Sequence, residues 1–321
     1  MESCVKWTLC VVLLLTAVVT VNSQQFRYDY TYEPKVSGWL KLHVMPSTFF
    51  DAFRICNAEG AVLASPLNVY FKNAMMALHK KIIVNSCTLY TGIHSSVAKG
   101  SFASIEGKPL SKISVEWAPN EPDNYNDSES CIAMFENGKM ADVRCTETFP
   151  FICYKKKTVN MAINECGTID NDYFLESRTG SCYKFHRVGR TWRNAYMTCM
   201  AEGGHLAIVN SKTELEVIKE IFARYPPDTR MAQSKEGVSI GIHTWGEDRV
   251  FYTVHGQRLV EAGYANFTSG QPDNNRAFDS SGSHCGGIWR EELDDFWCTG
   301  NTISFICEKR PESLLSEDEY P

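Results

Sequence analysis

The sequence has little positive charge in any one place and none of the short motifs that mark common zinc sites. Its 32 Lys and Arg are outnumbered by 38 Asp and Glu, giving a net charge of −6. Without a basic stripe, nucleic acid is not expected as the main partner. The chain has no C-x-x-C or H-E-x-x-H motif, and no G-x-S-x-G or matching histidine context surrounds the loop 279–283, which faintly resembles that of a serine hydrolase. We therefore expect neither a zinc site nor a serine hydrolase, and predict a protein that is not an enzyme.

The long apolar segment of this chain stands at its N-terminus, and later segments are too short or too polar to resemble it. Lys6 is followed by an apolar stretch that reaches Val21, and small residues continue to Ser23. This pattern is typical of a secretory signal sequence, and the stretch is short for a membrane span. We predict a signal peptide at 1–23, no membrane span, and a secreted, extracellular mature protein.

What the chain does contain is an internal repeat. Four short segments recur in the same order, namely 56–60 at 199–203, 92–94 at 241–243, 122–124 at 272–274 and 151–153 at 305–307. The offset grows from 143 residues at the first match to 154 at the last, as a tandem duplication with longer loops in its second copy would give. We predict two domains, 24–156 and 157–310. The acidic segment 311–321 has little apolar surface, and we predict that it is disordered.

Both copies show two early helical patterns followed by short strands and loops rich in Gly, Pro, Asn and Asp. Thr191 is expected to cap one helix, and Ser211 with Glu214 forms a capping-box pattern before the next. In the first copy, Ser65 precedes Pro66 at the expected first helical position. The clearest strands are predicted at 89–93, 132–135, 238–242 and 303–307. Helices followed by strands favour an α+β fold.

The repeated cysteines, helix ends and proline-containing triplets resemble those of C-type lectin domains. The triplets are Glu121-Pro122-Asp123 and Gln271-Pro272-Asp273. The tandem arrangement resembles the insect immulectins, and the resemblance covers nearly all of the mature chain. It implies two tandem C-type lectin-like domains of the α+β class, each with two helices, short antiparallel sheets, a long calcium-binding loop region and disulfides. The implied pairs are Cys56–Cys153, Cys131–Cys145, Cys166–Cys182, Cys199–Cys307 and Cys285–Cys298.

One cysteine of the mature chain has no partner in this scheme. Of the thirteen cysteines, Cys4 and Cys10 belong to the predicted signal peptide, so eleven remain and Cys87 is left over. Three interpretations stay open for Cys87: a buried thiol, half of an interchain disulfide that would produce an oligomer, or a sign that the implied pairing is wrong.

The resemblance implies a calcium ion, Ca²⁺, in each long loop, held by oxygen ligands and completed by two neighbouring sugar hydroxyls. In the first copy the implied calcium ligands are Glu121, Asp123, Glu129 and Asp142, of which the first three would also bind the sugar. Both amide donors of the family pattern are missing, because Asp123 and Ala141 stand where asparagine is usual. Calcium binding is therefore expected here, but ordinary mannose recognition is not. The alternative is a solvated acidic loop.

The second copy departs from the family pattern in a different way. Its implied calcium ligands are Gln271, Asp273, Asp294 and Asp295. In this family the Gln-Pro-Asp triplet goes with galactose-type sugars, which Gln271 and Asp273 would bind. Trp289, like Phe278 and Trp297, is either a stacking platform for a sugar ring or a core residue. Ser283 stands where the family has a glutamate.

Two glycosylation sequons lie near these loops. Asn126 is followed by Asp127-Ser128, and Asn266 by Phe267-Thr268. We predict glycans at Asn126 and Asn266, each near enough to a calcium loop to obstruct it.

The resemblance implies a secreted, calcium-dependent lectin that recognises microbial polysaccharides or glycolipids, such as lipopolysaccharide, in innate immunity. For an immulectin-like protein of the haemolymph it further implies agglutination, haemocyte responses and prophenoloxidase activation, with immune-cell or protease-cascade proteins as partners. The alternative is a lectin-fold module that binds a protein or a lipid and has lost sugar binding.

Overall fold

The computed structural model describes residues 26–82, 88–96, 99–158, 162–245, 249–277, 280, 282–289 and 292–315. The predicted signal peptide, Cys87 and Phe278 lie outside these residues. Within them, none of the helices is both long and apolar enough to cross a bilayer.

Each copy of the repeat builds its own sheet and helices. The first domain contains β1 (Thr31–Glu33), β2 (Gly38–Ser47), α1 (Phe49–Ala58), β3 (Val62–Leu63), α2 (Val69–His79), β4 (Thr88–His94), β5 (Ala103–Ser104), β6 (Cys131–Phe135), β7 (Met140–Val143) and β8 (Phe149–Lys156). The second contains β9 (Phe174–Glu176), β10 (Ser181–Arg190), α3 (Trp192–Ala201), β11 (His205–Leu206), α4 (Lys212–Ala223), β12 (Ser234–His243), β13 (Tyr252–Thr253), α5 (Leu259–Ala262), β14 (Cys285–Trp289), β15 (Glu292–Phe296) and β16 (Ile303–Lys309).

The two sheets have the same topology. Their strand orders are β1-β2-β8-β4-β6-β7 and β9-β10-β16-β12-β14-β15, which correspond strand for strand. Most pairs are antiparallel, as predicted, but β4–β8 and β12–β16 run parallel. The chain leaves each of these strands through a long excursion and returns in the same direction, which a hairpin cannot provide. The α+β class and the duplication are confirmed.

The start of α2 differs from the prediction made from Ser65 and Pro66. The helix begins after Asn68, whose side-chain oxygen accepts hydrogen bonds from the backbone N–H groups of Tyr70 at 2.9 Å and Phe71 at 3.1 Å. Asparagine is a strong N-cap because its side chain satisfies N–H groups that the helix leaves open. This cap overrides the preference of proline for the first turn.

The predicted starts of α3 and α4 are confirmed, but Thr191 stands at the N-cap of α3 without the expected side-chain hydrogen bond. Ser211 caps α4 by accepting the N–H of Glu214 at 3.1 Å. The capping box is nevertheless half formed, because the Glu214 carboxylate accepts from the Tyr183 hydroxyl at 2.8 Å and from the Asn210 N–H at 3.2 Å. The apolar face of α4 packs on the sheet, with Leu215 and Ile218 buried.

All five implied disulfides are confirmed, with Cα–Cα distances of 5.2–5.9 Å. The long-range pairs join the end of α1 to β8 and the end of α3 to β16. The short-range pairs close the chain around β7 and β15, the strands that follow the two long loops.

A buried polar cluster lies beside each long-range disulfide. In the first domain, Glu59 accepts from the hydroxyl of Tyr30, from Lys41 at 2.5 Å and from His43 at 3.2 Å. Burial opposes ionisation of Glu59, but the hydrogen bond from His43 and the charges of Arg27, His43 and Lys41 lower its pKa to about 2. The equivalent cluster of the second domain consists of Tyr173, Lys184, His186 and Glu202.

The two domains touch through α1 and α3 and through contacts made by Arg27 and Tyr28. Arg27 donates to the carbonyl of Ala201 at 2.8 Å, and the N–H of Tyr28 donates to the carbonyl of Leu314 at 3.1 Å. Leu314 is 4% exposed and packs on Gly203. The prediction that the segment from 311 onward is disordered is therefore wrong for 311–315, because the Leu314 side chain is buried against Gly203. The acidic residues around Leu314 in the sequence gave no indication of this contact.

Two buried carboxyl groups in the second domain make its stability depend on pH. Burial, followed by the charge of Glu308, raises the pKa of Glu214, and burial raises that of Glu308. Their folded-state pKa values exceed the unfolded values, so the folded state binds more protons and stability falls as pH rises through that window. We predict that Glu214→Gln raises the free energy of unfolding at pH 8 by on the order of 1–2 kcal/mol and flattens its decrease between pH 5 and pH 8.

Urea unfolding of both proteins at pH 5 and pH 8 measures this difference. Glu216→Gln is the matched control, because Glu216 lies on the exposed face of the same helix. Equal pH dependence in wild type and Glu214→Gln would contradict the assignment.

Candidate functional site

The long loop of the first domain is held to the sheet by one aspartate of β7. Asp142 is 4% exposed, and its two carboxylate oxygens accept the backbone N–H groups of Asp123 at 3.1 Å and Asn124 at 3.0 Å. The loop then turns through Asn124 and Asn126, which have positive φ angles of 45° and 52°. Asparagine tolerates this left-handed region better than most residues, so the loop sequence suits its conformation.

Three of the predicted ligands converge in this loop. Glu121, Asp123 and Asp142 each offer a carboxylate oxygen, and these oxygens lie within 4.8 Å of one another. Glu129 borders the cluster, where its carboxylate accepts the N–H of Tyr125 at 2.8 Å. The structure therefore brings three of the four predicted residues together, and Glu129 lies close enough for the charges of Asp142 and Asp123 to act on it.

The cluster concentrates negative charge that the described protein groups do not neutralise. Burial, followed by the carboxylates of Asp142, Asp123 and Glu129, raises the pKa of Glu121 to about 7. The Oε2 atom of Glu121 is buried and has no hydrogen-bond partner among the described residues. Calcium takes six to eight oxygen ligands, mostly from carboxylates, carbonyls and water. The donor set and the unsatisfied oxygen both fit such an ion.

Amide donors do not accompany these carboxylates. The Asn124 side chain donates to Asp127 at 2.9 Å and accepts the N–H of Glu129 at 3.3 Å, so it stabilises the loop. Ala141 occupies the buried strand position next to Asp142. The side chains of this site can therefore accept hydrogen bonds from ligand hydroxyls, but they offer few groups that donate hydrogen bonds to a ligand.

The long loop of the second domain is anchored in the same way. Asp295 on β15 accepts the N–H groups of Asp273 at 3.1 Å and Asn274 at 2.9 Å. The side-chain oxygen of Gln271 also accepts the Asp273 N–H, at 2.8 Å, and so stabilises the turn that contains both residues. Burial raises the pKa of Asp295, although the backbone N–H bonds oppose this shift.

A groove of about 180 Å³ opens beside this second loop. It is lined by Gln271, Asp273, Trp289, Asp294 and Asp295, the five residues predicted for the second site, together with Ser234, Asn275 and Asn301 among others. Within the described part of the chain, this loop does not bring three carboxylate, His or Cys ligands together as the first loop does. The two loops share a scaffold but differ in their ligand sets.

The aromatic candidates have structural contacts of their own. The Trp289 ring packs on Gly237, where an added Cβ would lie 2.2 Å from the ring, so this half-buried indole is held against β12 and also lines the groove. Trp297 donates from Nε1 to the carbonyl of Asn275 at 2.8 Å. Ser234 comes from a distant part of the chain, and the sequence carried no signal that placed it here.

Both predicted glycosylation positions are exposed. Asn126 lies in the turn Tyr125–Asp127 of the first loop, and Asn266 lies before the second loop. The backbone carbonyl of Asn266 accepts the N–H of Leu293 at 3.3 Å, and the residue as a whole is exposed.

The Lectin C-type domain family matches the chain twice, over residues 45–155 and 188–309. The chain belongs to the C-type lectin family. Each stretch contains one of the two long loops described above, and together the stretches cover well over half of the sequence. The resemblance drawn from the cysteines and triplets is confirmed.

Several characterised proteins are similar to this lectin. A hemolymph lipopolysaccharide-binding protein of Periplaneta americana is 34% identical over 128 residues, which are 39% of this chain and 48% of that protein. C-type mannose receptor 2 of Rattus norvegicus is 24% identical over 268 residues, 81% of this chain but 17% of the receptor. The carbohydrate-recognition domain of the mouse scavenger receptor C-type lectin is 24% identical, with a TM-score of 0.36, over 44% of this chain and 97% of that domain. The lectin thus spans about half or less of the curated relatives.

Proposed function

We propose that this lectin is a secreted, calcium-dependent pattern-recognition protein that binds microbial surface glycans. The observation that carries the proposal is the carboxylate cluster of the first loop, where Glu121, Asp123 and Asp142 offer oxygens within 4.8 Å of one another and Glu121 keeps a buried oxygen unsatisfied. Acidic groups are held this close at a free-energy cost that a bound cation would offset.

In the first domain, Glu121, Asp123, Glu129 and Asp142 would hold the ion. Bound calcium supplies open coordination positions for two neighbouring sugar hydroxyls. The chain's own carboxylates orient those hydroxyls by accepting hydrogen bonds from them. Asp142 keeps the loop in place by accepting the N–H groups of Asp123 and Asn124. With few amide donors available, the site favours ligands rich in hydroxyl donors.

The second domain would bind a different sugar. Gln271, Asp273, Asp294 and Asp295 line one side of its groove, and Trp289 offers an apolar ring nearby. The Gln-Pro-Asp triplet favours galactose-type sugars by resemblance to the family. Two weak sites on one chain strengthen binding to a repetitive surface, because the first contact raises the effective concentration of the second site.

Similarity to the hemolymph lipopolysaccharide-binding protein of Periplaneta americana supports microbial glycolipids as ligands. The signal-like N-terminus and the exposed sequons at Asn126 and Asn266 support secretion and glycosylation. By resemblance to immulectins, binding would promote agglutination, haemocyte responses and prophenoloxidase activation. The shortage of amide donors in the first loop favours the second candidate, a protein- or lipid-binding module that has lost sugar recognition.

A glycan array probed with the full chain, with and without calcium, distinguishes the two candidates. We predict binding to microbial polysaccharides that chelation abolishes. Asp123→Ala is expected to weaken binding of the glycans recognised by the first loop by tenfold or more. Asp273→Ala should do the same for the second loop, because each change deletes one carboxylate of its site. Glu216→Gln serves as a surface control. Absence of glycan binding in the presence of calcium would support the protein- or lipid-binding candidate, and glycan binding that persists unchanged in chelator would contradict the calcium dependence of the proposal.

A further inference from the structure

A groove lies between the two domains, where α1 packs against α3. Its volume is about 300 Å³, at the lower end of the range for small-molecule sites. The first domain contributes residues of β2 and α1, and the second contributes the end of β10 and the first turns of α3. This interdomain groove includes none of the residues of the calcium loops.

Positive charge exceeds negative charge in the interdomain groove. Arg54, Arg190 and Arg193 line it, and Asp51 is the one acidic residue among the lining residues. Asp51 is already occupied, since it pairs with Arg54 and accepts from the Thr48 hydroxyl at 2.8 Å. Two arginine charges are left without a carboxylate in the groove. The chain as a whole is acidic, so this local excess does not follow from its composition.

The guanidinium of Arg190 is less exposed to water than that of Arg193 and lacks the ion pair that Arg54 makes with Asp51. Arg190 is half-buried at the end of β10, and within the described ranges its side chain donates no hydrogen bond and joins no ion pair. Burial, followed by the positive charge of Arg54, lowers its pKa. The carboxylate that acts on it, that of Glu202, is already bonded by Lys184 and His186. Like charges held together in this way are stabilised by an added anion.

The three arginines suit one class of anion better than others. They approach the groove from α1, from the end of β10 and from the start of α3, and guanidinium groups bind the oxygens of tetrahedral phosphates in pairs. A phosphate monoester carries a charge of about −1.5 to −2 at neutral pH, which matches the two uncompensated arginines. The hydroxyls of Ser47, Thr148 and Thr198 and the amide of Asn194 provide polar neighbours for a sugar.

We infer that the interdomain groove is a calcium-independent binding site for a phosphate group, with Arg54, Arg190 and Arg193 as its ligands. The phosphate can be borne by a saccharide or be free in solution. The inference does not depend on the calcium loops, because no residue is shared between the groove and either loop. It gives the lectin a way to select phosphorylated glycans in addition to reading their hydroxyls.

Calorimetric titration of the full chain in calcium chelator tests the phosphate site. The probes are glucose 1-phosphate, inorganic phosphate and glucose, at low and at physiological salt. We expect the two phosphates to bind, with an affinity that falls as salt rises, and glucose not to bind. Tighter binding of glucose 1-phosphate than of inorganic phosphate assigns the site to phosphorylated saccharides, and equal binding assigns it to the phosphate alone.

Two variants locate the binding. Arg190→Gln and Arg193→Gln are each expected to weaken phosphate binding by tenfold or more, whereas Arg258→Gln, which removes an exposed arginine elsewhere in the second domain, leaves it unchanged. Arg193 is exposed, so its variant keeps the test valid even if Arg190→Gln disturbs folding. Absence of phosphate binding in wild type, or wild-type affinity in Arg193→Gln and a folded Arg190→Gln, overturns the inference. Because chelator is present throughout, that outcome leaves the calcium proposal untouched.

Discussion

Replacing Asp142 with alanine is expected to abolish calcium binding in the first domain and to lower the free energy of unfolding by about 2 kcal/mol in chelator. Asp142 has two roles that one substitution removes together. It contributes a carboxylate oxygen to the cluster with Glu121 and Asp123, and it accepts two backbone N–H groups that fix the loop. Charge-assisted hydrogen bonds of this kind contribute about 1.5–3 kcal/mol each before the relief of carboxylate repulsion is subtracted.

The second domain supplies the matched control for this variant. Asp295 accepts the equivalent pair of N–H groups, so Asp295→Ala should lower stability by a similar amount. It should leave calcium binding by the first loop intact. The measurements are calcium-dependent thermal stability and urea unfolding in chelator, because a ligand that binds the folded state raises the midpoint by an amount that grows with the logarithm of its affinity. If Asp142→Ala still shows the full calcium-induced shift, Asp142 is not a ligand.

Removing the long-range disulfide of the first domain is expected to have a larger effect on stability than removing its short-range disulfide. Cys56 and Cys153 are separated by 97 residues, and the chain-entropy relation gives about 4–5 kcal/mol for a loop of that length. Both cysteines are fully buried, so Cys56→Ala with Cys153→Ala avoids burying new hydroxyl groups. Urea unfolding under non-reducing conditions measures the loss.

The short-range disulfide of the same domain provides the comparison. Cys131 and Cys145 are separated by 14 residues, for which the same relation gives about 3 kcal/mol. The second domain repeats the contrast with separations of 108 and 13 residues. Equal losses for the long and the short pair would show that restraint of the unfolded chain is not the main source of their stabilisation.

The repeat in the sequence predicted the scaffold well because each repeated residue has a local or covalent role. The disulfides follow from cysteines that recur with their flanking residues. The paired carboxylates Asp142 and Asp295 follow from their positions just before Cys145 and Cys298. The same comparison would have found the buried polar clusters, since Lys41 recurs as Lys184 143 residues later. The recurrence of a lysine does not by itself indicate that its carboxylate partner is buried.

Features that depend on how distant segments pack could not be predicted in this way. Arg54 and Arg190 belong to different domains, and their residues do not recur in the repeat, so only the packing of α1 against α3 brings them together. Leu314 is one apolar residue in an acidic segment, and its site on Gly203 exists only once the second domain has folded. The start of α2 was missed because Pro66 and Asn68 are both favourable near a helix start, and only the hydrogen bonds of Asn68 decide between them.

Calorimetric titration of calcium into the full chain tests the central claim most directly, because that claim places the calcium site in the carboxylate cluster of the first loop. The account predicts binding with a dissociation constant on the order of 10⁻⁴–10⁻³ M, as in other extracellular modules. Glu121→Gln should weaken the strongest site by tenfold or more, whereas Gln271→Ala should leave it unchanged. A strongest site that survives Glu121→Gln and disappears in Gln271→Ala would contradict the account.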